Sequence, residues 1–213
     1  QTIYTLAPAG ENTGSYAARI GSDKYFSVNQ AIKAMEAADA EDAETNTTTI
    51  HLLRDQTEDV TINNTKHSPT LNLNGYTLTG HITVANLNNN NLTFTLADDK
   101  TQSDYKQGST GGVLTSTSGN LVYINNQTNK PENTTVKLQG VTLTGSTTGS
   151  TCGVYADSNV NLVAEGSSFS GHTVTAVNTN GAAISYRDVG TLEVDNCTFT
   201  NNRITSNGHA GAI

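Results

Sequence analysis

Leu71-Asn72-Leu73-Asn74-Gly75-Tyr76-Thr77-Leu78-Thr79-Gly80 holds two short alternating runs joined at a glycine. About 65 residues later the pattern returns as Val136-Lys137-Leu138-Gln139-Gly140-Val141-Thr142-Leu143-Thr144-Gly145. Alternation places every second side chain on one face of a strand, and the glycine lets the chain bend between two strands. A bent unit that recurs along a chain is the pattern of a solenoid, in which each copy buries its apolar face against its neighbours.

The other runs fit the same scheme. Ile50-His51-Leu52-Leu53, Val60-Thr61-Ile62, Ile82-Thr83-Val84 and Leu92-Thr93-Phe94-Thr95-Leu96 read as short strands, with Asn63-Asn64 and Asn88 to Asn91 as turns. In the second half, Val122, Val154 and Ile184 recur about 30 residues apart. Leu138, Leu162 and Leu192 form a second series, and Leu143, Phe169 and Phe199 a third. Members of each series are expected to stack as internal ladders, with residues 98–112, 125–135 and 145–151 as insertions at turns. The period contains no second helix, which favours three short strands per circuit over helical repeats or a leucine-rich horseshoe. An all-β sandwich would not account for in-phase ladders.

Upstream, Ala17 to Ile20 and Tyr25-Phe26 flank Gly21-Ser22-Asp23-Lys24 as a hairpin. Ser27 with Gln30 then forms a capping-box pattern, and Val28, Ala31, Ile32, Met35 and Ala38 keep helical spacing. The acidic Glu41-Asp42-Ala43-Glu44 suits a loop rather than a helix C-terminus. The expected fold is therefore all-β, a right-handed parallel β-helix. Residues 1–48 form an N-terminal segment with a hairpin-plus-helix cap, and residues 49–213 form the solenoid, expected to continue in a longer parent chain.

Of the 213 residues 34% are hydrophobic, with no Trp and one Met; a thin solenoid core needs no more. The formal charge of -8 and the absence of a basic patch exclude a nucleic-acid partner on electrostatic grounds. No stretch is long enough to span a bilayer. The chain starts at Gln1 with neither an initiating Met nor a signal peptide, which reads as a mature secreted protein or a trimmed segment.

Phe199-Thr200-Asn201-Asn202 matches a Phe-x-x-Asn motif, and Ala210-Gly211-Ala212-Ile213 approximates Gly-Gly-Ala-Ile. One circuit earlier, Phe169-Ser170-Gly171-His172 carries His for Asn, and Gly181-Ala182-Ala183-Ile184 approximates the second motif. This pairing resembles the repeats of polymorphic outer-membrane proteins and related bacterial β-helical adhesins, and the resemblance covers most of residues 17–213. It implies a cell-surface or extracellular setting and partners among host or cell-surface glycoproteins and glycans. The motifs also have a scaffold reading, with Phe filling the core and Asn bonding at a turn.

Candidate chemistry is sparse. Asp98, Asp99 and Asp104, with Tyr105, crowd the longest insertion; a glycosidase needs two carboxylates across the scissile bond, and nothing in the spacing shows two converging. These four residues are nominated as a ligand-contacting loop. Arg187-Asp188 reads as a surface pair. His51, His67, His81, His172 and His209 lack metal-ligand spacing, so no metal or cofactor is expected and structural roles are. Cys152 and Cys197 occupy different places in the circuit and read as two buried free thiols. Asn46, Asn63, Asn91, Asn126, Asn133 and Asn196 head Asn-x-Thr sequons, which an Asn- and Thr-rich chain produces by chance. Tyr123 and Tyr155 follow the inward Val positions, so they could form an outward aromatic stack for sugar rings, or pack under an insertion. The expected function is a non-catalytic, adhesin-like surface stalk or binding module. The alternatives are a polysaccharide lyase or glycoside hydrolase on the same fold, and a fibre or surface-layer subunit pairing with like chains end to end.

Overall fold

The computed structural model describes residues 15–37, 47–63, 68–85, 92–125, 134–146, 150–156, 160–175, 181–187, 190–205 and 212–213. Gly21, at φ 55, makes the tight turn of an antiparallel hairpin between Ala18–Ile20 and Asp23–Tyr25. The helix Val28–Ala37 follows, with Ser27 Oγ accepting the Gln30 N–H at 3.0 Å. Gln30 Oε1 reaches back to the Phe26 N–H at 3.1 Å, one residue beyond the usual box partner, the N–H of Ser27. The Glu58 carboxylate also accepts the N–H groups of Val28 and Asn29, where the helix dipole favours negative charge. The acidic stretch after the helix and the Asn88 to Asn91 turn lie outside the described residues.

The strands form three largely parallel sheets. The first runs, in order, Leu192–Asp195, Asn161–Glu165, Thr135–Gln139, Thr93–Ala97, Ser68–Asn72 and Thr47–Leu52, then ends on the antiparallel hairpin. The second runs Thr198–Thr200, Ser168–Ser170, Thr142–Thr144, Val113–Thr115, Thr77–Thr79 and Gln56–Thr57. The third runs Ile184–Tyr186, Thr151–Ala156, Gly119–Asn125, Ile82–Ala85 and Val60–Asn63. A two-stranded sheet pairs Thr173–Val174 with Arg203–Ile204. Along the chain the three sheets are visited in the same order again and again, each circuit adding one strand to each until the last, which among the described residues adds none to the third. The architecture is all-β, repetitive and parallel.

Alternation decides what is inside. Val60–Asn63, Ile82–Ala85 and Thr135–Gln139 alternate buried and outward residues, and one apolar cluster joins the inward side chains of all three sheets to the helix. The registers place Val122, Val154 and Ile184 in one ladder and Leu143, Phe169 and Phe199 in another. The two Phe rings stack at 5.1 Å and 6°. One expected ladder is corrected. Leu162 pairs with Val136 and Leu192, while Leu138 pairs with Ala164. A slip of two residues keeps the same face inward, so alternation alone cannot choose between Val136 and Leu138. At the bend in the opening stretch, Asn74 and Gly75 both adopt positive φ, 54 and 78. The hairpin extends the first sheet at that end by two antiparallel strands, and the helix packs beside it.

Candidate functional site

The insertion 98–112 is fastened to the scaffold by the residues nominated as its ligand contacts. Buried Asp98 accepts the Gly75 N–H at 2.8 Å on Oδ1 and the Tyr105 hydroxyl at 2.8 Å on Oδ2. Burial and the neighbouring Asp98 carboxylate push the Tyr105 phenol up to about 12. Asp99 accepts the Thr101 N–H at 3.0 Å, the Thr101 hydroxyl at 2.7 Å and the Gln102 amide, which hold its carboxyl below the usual range. Asp104 takes a two-pronged hydrogen bond from Arg19 at 2.6 and 3.0 Å, and this guanidinium lowers its carboxyl too. Asn74 ties the same loop down by donating to the Leu52 and Asp104 carbonyls at 3.1 and 3.0 Å. Asp98 thus turns inward and Asp104 turns toward the hairpin, 85 residues earlier in the chain.

Beside the loop lies an open depression of about 380 Å³, lined by Asp98, Asp99, Gln139 and Glu165 with Ala97, Gly140 and Gly166. Gln139 and Glu165 are register partners on adjacent strands, which carries Glu165 alongside the loop acids. Sequence reasoning missed Glu165. The signal was its equivalence to Gln139 once the strands are paired two residues off the leucine spacing.

On the outer face of the third sheet, Tyr123 and Tyr155 are register partners between Thr83 and Ser185. Their rings lie 5.8 Å apart, tilted by 45°, and both are half-buried. Arg187 Nη1 donates to the Tyr155 hydroxyl at 2.7 Å, and its guanidinium lies 6.0 Å from that ring's centroid. Tyr155 also packs against a small cluster of Cys152, Val174 and Ala182. The pair faces outward, and the residues Tyr155 packs against lie on its own strand and on neighbouring strands and turns rather than on an insertion. Asp188 lies outside the described residues; Arg187 reaches Tyr155.

The histidines divide clearly. His67 and His209 lie outside the described residues. His51 stands beside the Asn72 amide at 3.4 Å, and burial lowers its affinity for a proton. His172 is fully buried and donates from Nε2 to the Leu143 carbonyl at 3.1 Å. One circuit on, Asn202 donates to the Phe169 carbonyl at 2.9 Å in the same way, and accepts the His172 N–H at 3.1 Å. His172 therefore fills the place of the motif Asn, but its Nδ1 has no partner among the described residues.

His81 Nδ1 lies 2.9 Å from Asp59 Oδ1, and its Nε2 lies 3.0 Å from Ser116 Oγ. That order of groups is the one a nucleophilic serine uses. Yet Nε2 is closer still, 2.7 Å, to the Ser118 carbonyl oxygen. A carbonyl only accepts, so Nε2 must donate there and is not a base for Ser116.

Cys152 and Cys197 are both free, as expected, but Cys197 is half-exposed rather than buried. Its sulfur sits at the edge of the last circuit, near the Ala164 and Asp195 carbonyls. Among the described residues no group of three or more His, Cys, Asp or Glu could hold a metal ion. No helix is long and apolar enough to cross a membrane among the same residues. No protein-family model matches this chain, and neither a curated protein nor a solved structure matches it.

Proposed function

We propose that the repeated circuits form a right-handed parallel β-helix that serves as a non-catalytic, adhesin-like module of an extracellular or cell-surface protein. Its partners are host or cell-surface glycans and glycoproteins, which meet it on the outward face bearing Tyr123, Tyr155 and Arg187. The observation that carries the reading is this pair of tyrosines one strand apart, with a guanidinium on one of them. Aromatic faces take the apolar faces of sugar rings, and the flanking hydroxyls and N–H donors take sugar oxygens. The engagement of Asp98 and Asp104 in fastening the insertion supports a non-catalytic role. The test is binding to immobilised glycans and glycoproteins by the protein and by Tyr123→Ala and Tyr155→Ala. Each truncation is expected to weaken binding about three- to tenfold, the worth of one aromatic contact. Retention on none of the glycans, or binding that both variants keep in full, would refute the reading.

A carbohydrate-active enzyme is the second reading, favoured by the depression that Asp99 and Glu165 both line. Release of new reducing ends or unsaturated products from acidic polysaccharides, abolished in Asp99→Asn, would establish it. The ionised state in which Asp99 is held suits a base and not a proton donor.

A further inference from the structure

The bend of the opening stretch carries the dipeptide Asn74-Gly75. An asparagine followed by glycine is prone to lose its side-chain amide, because a residue without a Cβ leaves its backbone nitrogen free to attack the asparagine Cγ. In the folded chain this pair lies beneath the insertion 98–112. The Lys106 N–H donates to the Asn74 carbonyl at 3.1 Å, and Ser109 Oγ donates to the Gly75 carbonyl at 2.6 Å. A Cβ on Gly75 would lie 2.9 Å from the Tyr105 ring, so that ring roofs the glycine. The Asn74 side chain is fully buried.

The fold restrains every atom that the loss of the amide uses. The attacking Gly75 N–H is held by Asp98 Oδ1 at 2.8 Å. The leaving Nδ2 is fixed between the Leu52 and Asp104 carbonyls at 3.1 and 3.0 Å. Negative charge gathers on Oδ1 as Cγ turns tetrahedral, and that buried oxygen meets no donor among the described residues. Apart from the Leu52 carbonyl, these restraints come from the insertion, so they leave together when it lifts.

We propose that Asn74 is a deamidation site gated by the insertion, and that its conversion is a one-way latch that releases residues 98–112. The Gly75 nitrogen bonds to Asn74 Cγ, the Cγ–Nδ2 bond breaks, and Nδ2 departs as ammonia with the proton from the Gly75 nitrogen. Water then opens the succinimide at either of its carbonyls, giving aspartate or isoaspartate. Either product puts a carboxylate where a donor faced the Leu52 and Asp104 carbonyls, so acceptor meets acceptor at a buried point. Isoaspartate also lengthens the backbone within a turn where Asn74 and Gly75 both hold positive φ. The roof that closes over a neutral amide does not reseat over either product. The latch works in the same way whatever the outer face binds.

Peptide mapping by mass spectrometry in mildly alkaline buffer follows conversion at residue 74, with an isoaspartyl methyltransferase reading the isoaspartate. The folded chain is expected to convert about ten- to a hundredfold more slowly than the chain in urea. Arg19→Ala takes the guanidinium from Asp104, and is expected to raise the folded rate about three- to tenfold while leaving the unfolded rate unchanged. As the native chain ages, hydrogen exchange is expected to show an unprotected population over residues 99–112 that grows in step with conversion. The strand Thr135–Gln139 is expected to stay protected throughout. A folded Asn74 that reacts as fast as the unfolded one, or no faster in Arg19→Ala, would overturn the gating. So would an Asn74 still intact in both folded proteins after about a thousand unfolded half-lives. Converted chains that keep the insertion protected, or that lose protection over Thr135–Gln139 as well, would overturn the local latch.

Discussion

His172 makes the fold sensitive to acid in a window of its own. Burial lowers its proton affinity from an ordinary 6.5 to about 4, with the Leu143 carbonyl opposing that shift. Between those values the unfolded imidazole binds a proton and the folded one does not. The part of the stability that depends on a neutral His172 is therefore complete above about pH 6.5, falls as the pH drops, and is lost in full below about pH 4. The shift corresponds to about 3 kcal/mol in total and about 2 kcal/mol at about pH 5, a large share of a typical folding free energy. The sharpest comparison is His172→Asn, because Asn202 shows that an Asn at this point of the circuit donates to the equivalent carbonyl, Phe169 there and Leu143 here. Urea unfolding midpoints measured across this pH range, with m checked for constancy, read the effect directly. The native chain is expected to lose midpoint steadily on the acid side, and His172→Asn is expected to stay flatter by about 2 kcal/mol at about pH 5. The carboxylates held low by their partners, Asp55, Asp59, Asp99 and Asp104, release their stabilisation lower still, below about pH 4. Parallel curves for the two proteins between about pH 6.5 and about pH 4 would refute the argument that His172 is buried neutral.

Removing the Arg19 guanidinium with Arg19→Ala should free the insertion from the hairpin at a cost of about 1 kcal/mol, seen as faster amide exchange over residues 99–112. Gly112→Ala should destabilise by about 1–3 kcal/mol in chemical denaturation, because its Cβ would lie 2.5 Å from Leu73 Cβ and 2.7 Å from Asp98 Oδ1. Phe169→Ala should cost about 3–5 kcal/mol and Phe199→Ala clearly less, since Phe169 is fully buried while Phe199 is only partly covered. An aromatic disulfide reagent should modify Cys197 well before Cys152, whose thiol is buried and pushed up to about 12.

Much of the scaffold was legible because alternation reports on a local property, the face a residue presents. Val122, Val154 and Ile184, like Leu143, Phe169 and Phe199, could be aligned by eye, since each is inward at a fixed distance from a recurring turn. The helix was legible from its capping serine and its apolar spacing. The pairing of Leu138 with Ala164 was not, because a two-residue slip preserves every inward face and only packing against neighbouring strands selects one register.

The candidate sites depended on tertiary structure throughout. An exposed-looking run of Asp98, Asp99, Asp104 and Tyr105 reads as a binding loop until Arg19 and Gly75 are brought to it, and then most of its charge is seen to fasten the loop. His81 has no sequence neighbour that marks it, yet the folded chain sets an acceptor against each of its nitrogens from different circuits. Sequence by itself fixed which side chains turn inward, because that depends on spacing of a few residues along one strand. Which polar groups meet across 22 to 85 residues depends on strand register and turn geometry, and only the assembled sheets decide those.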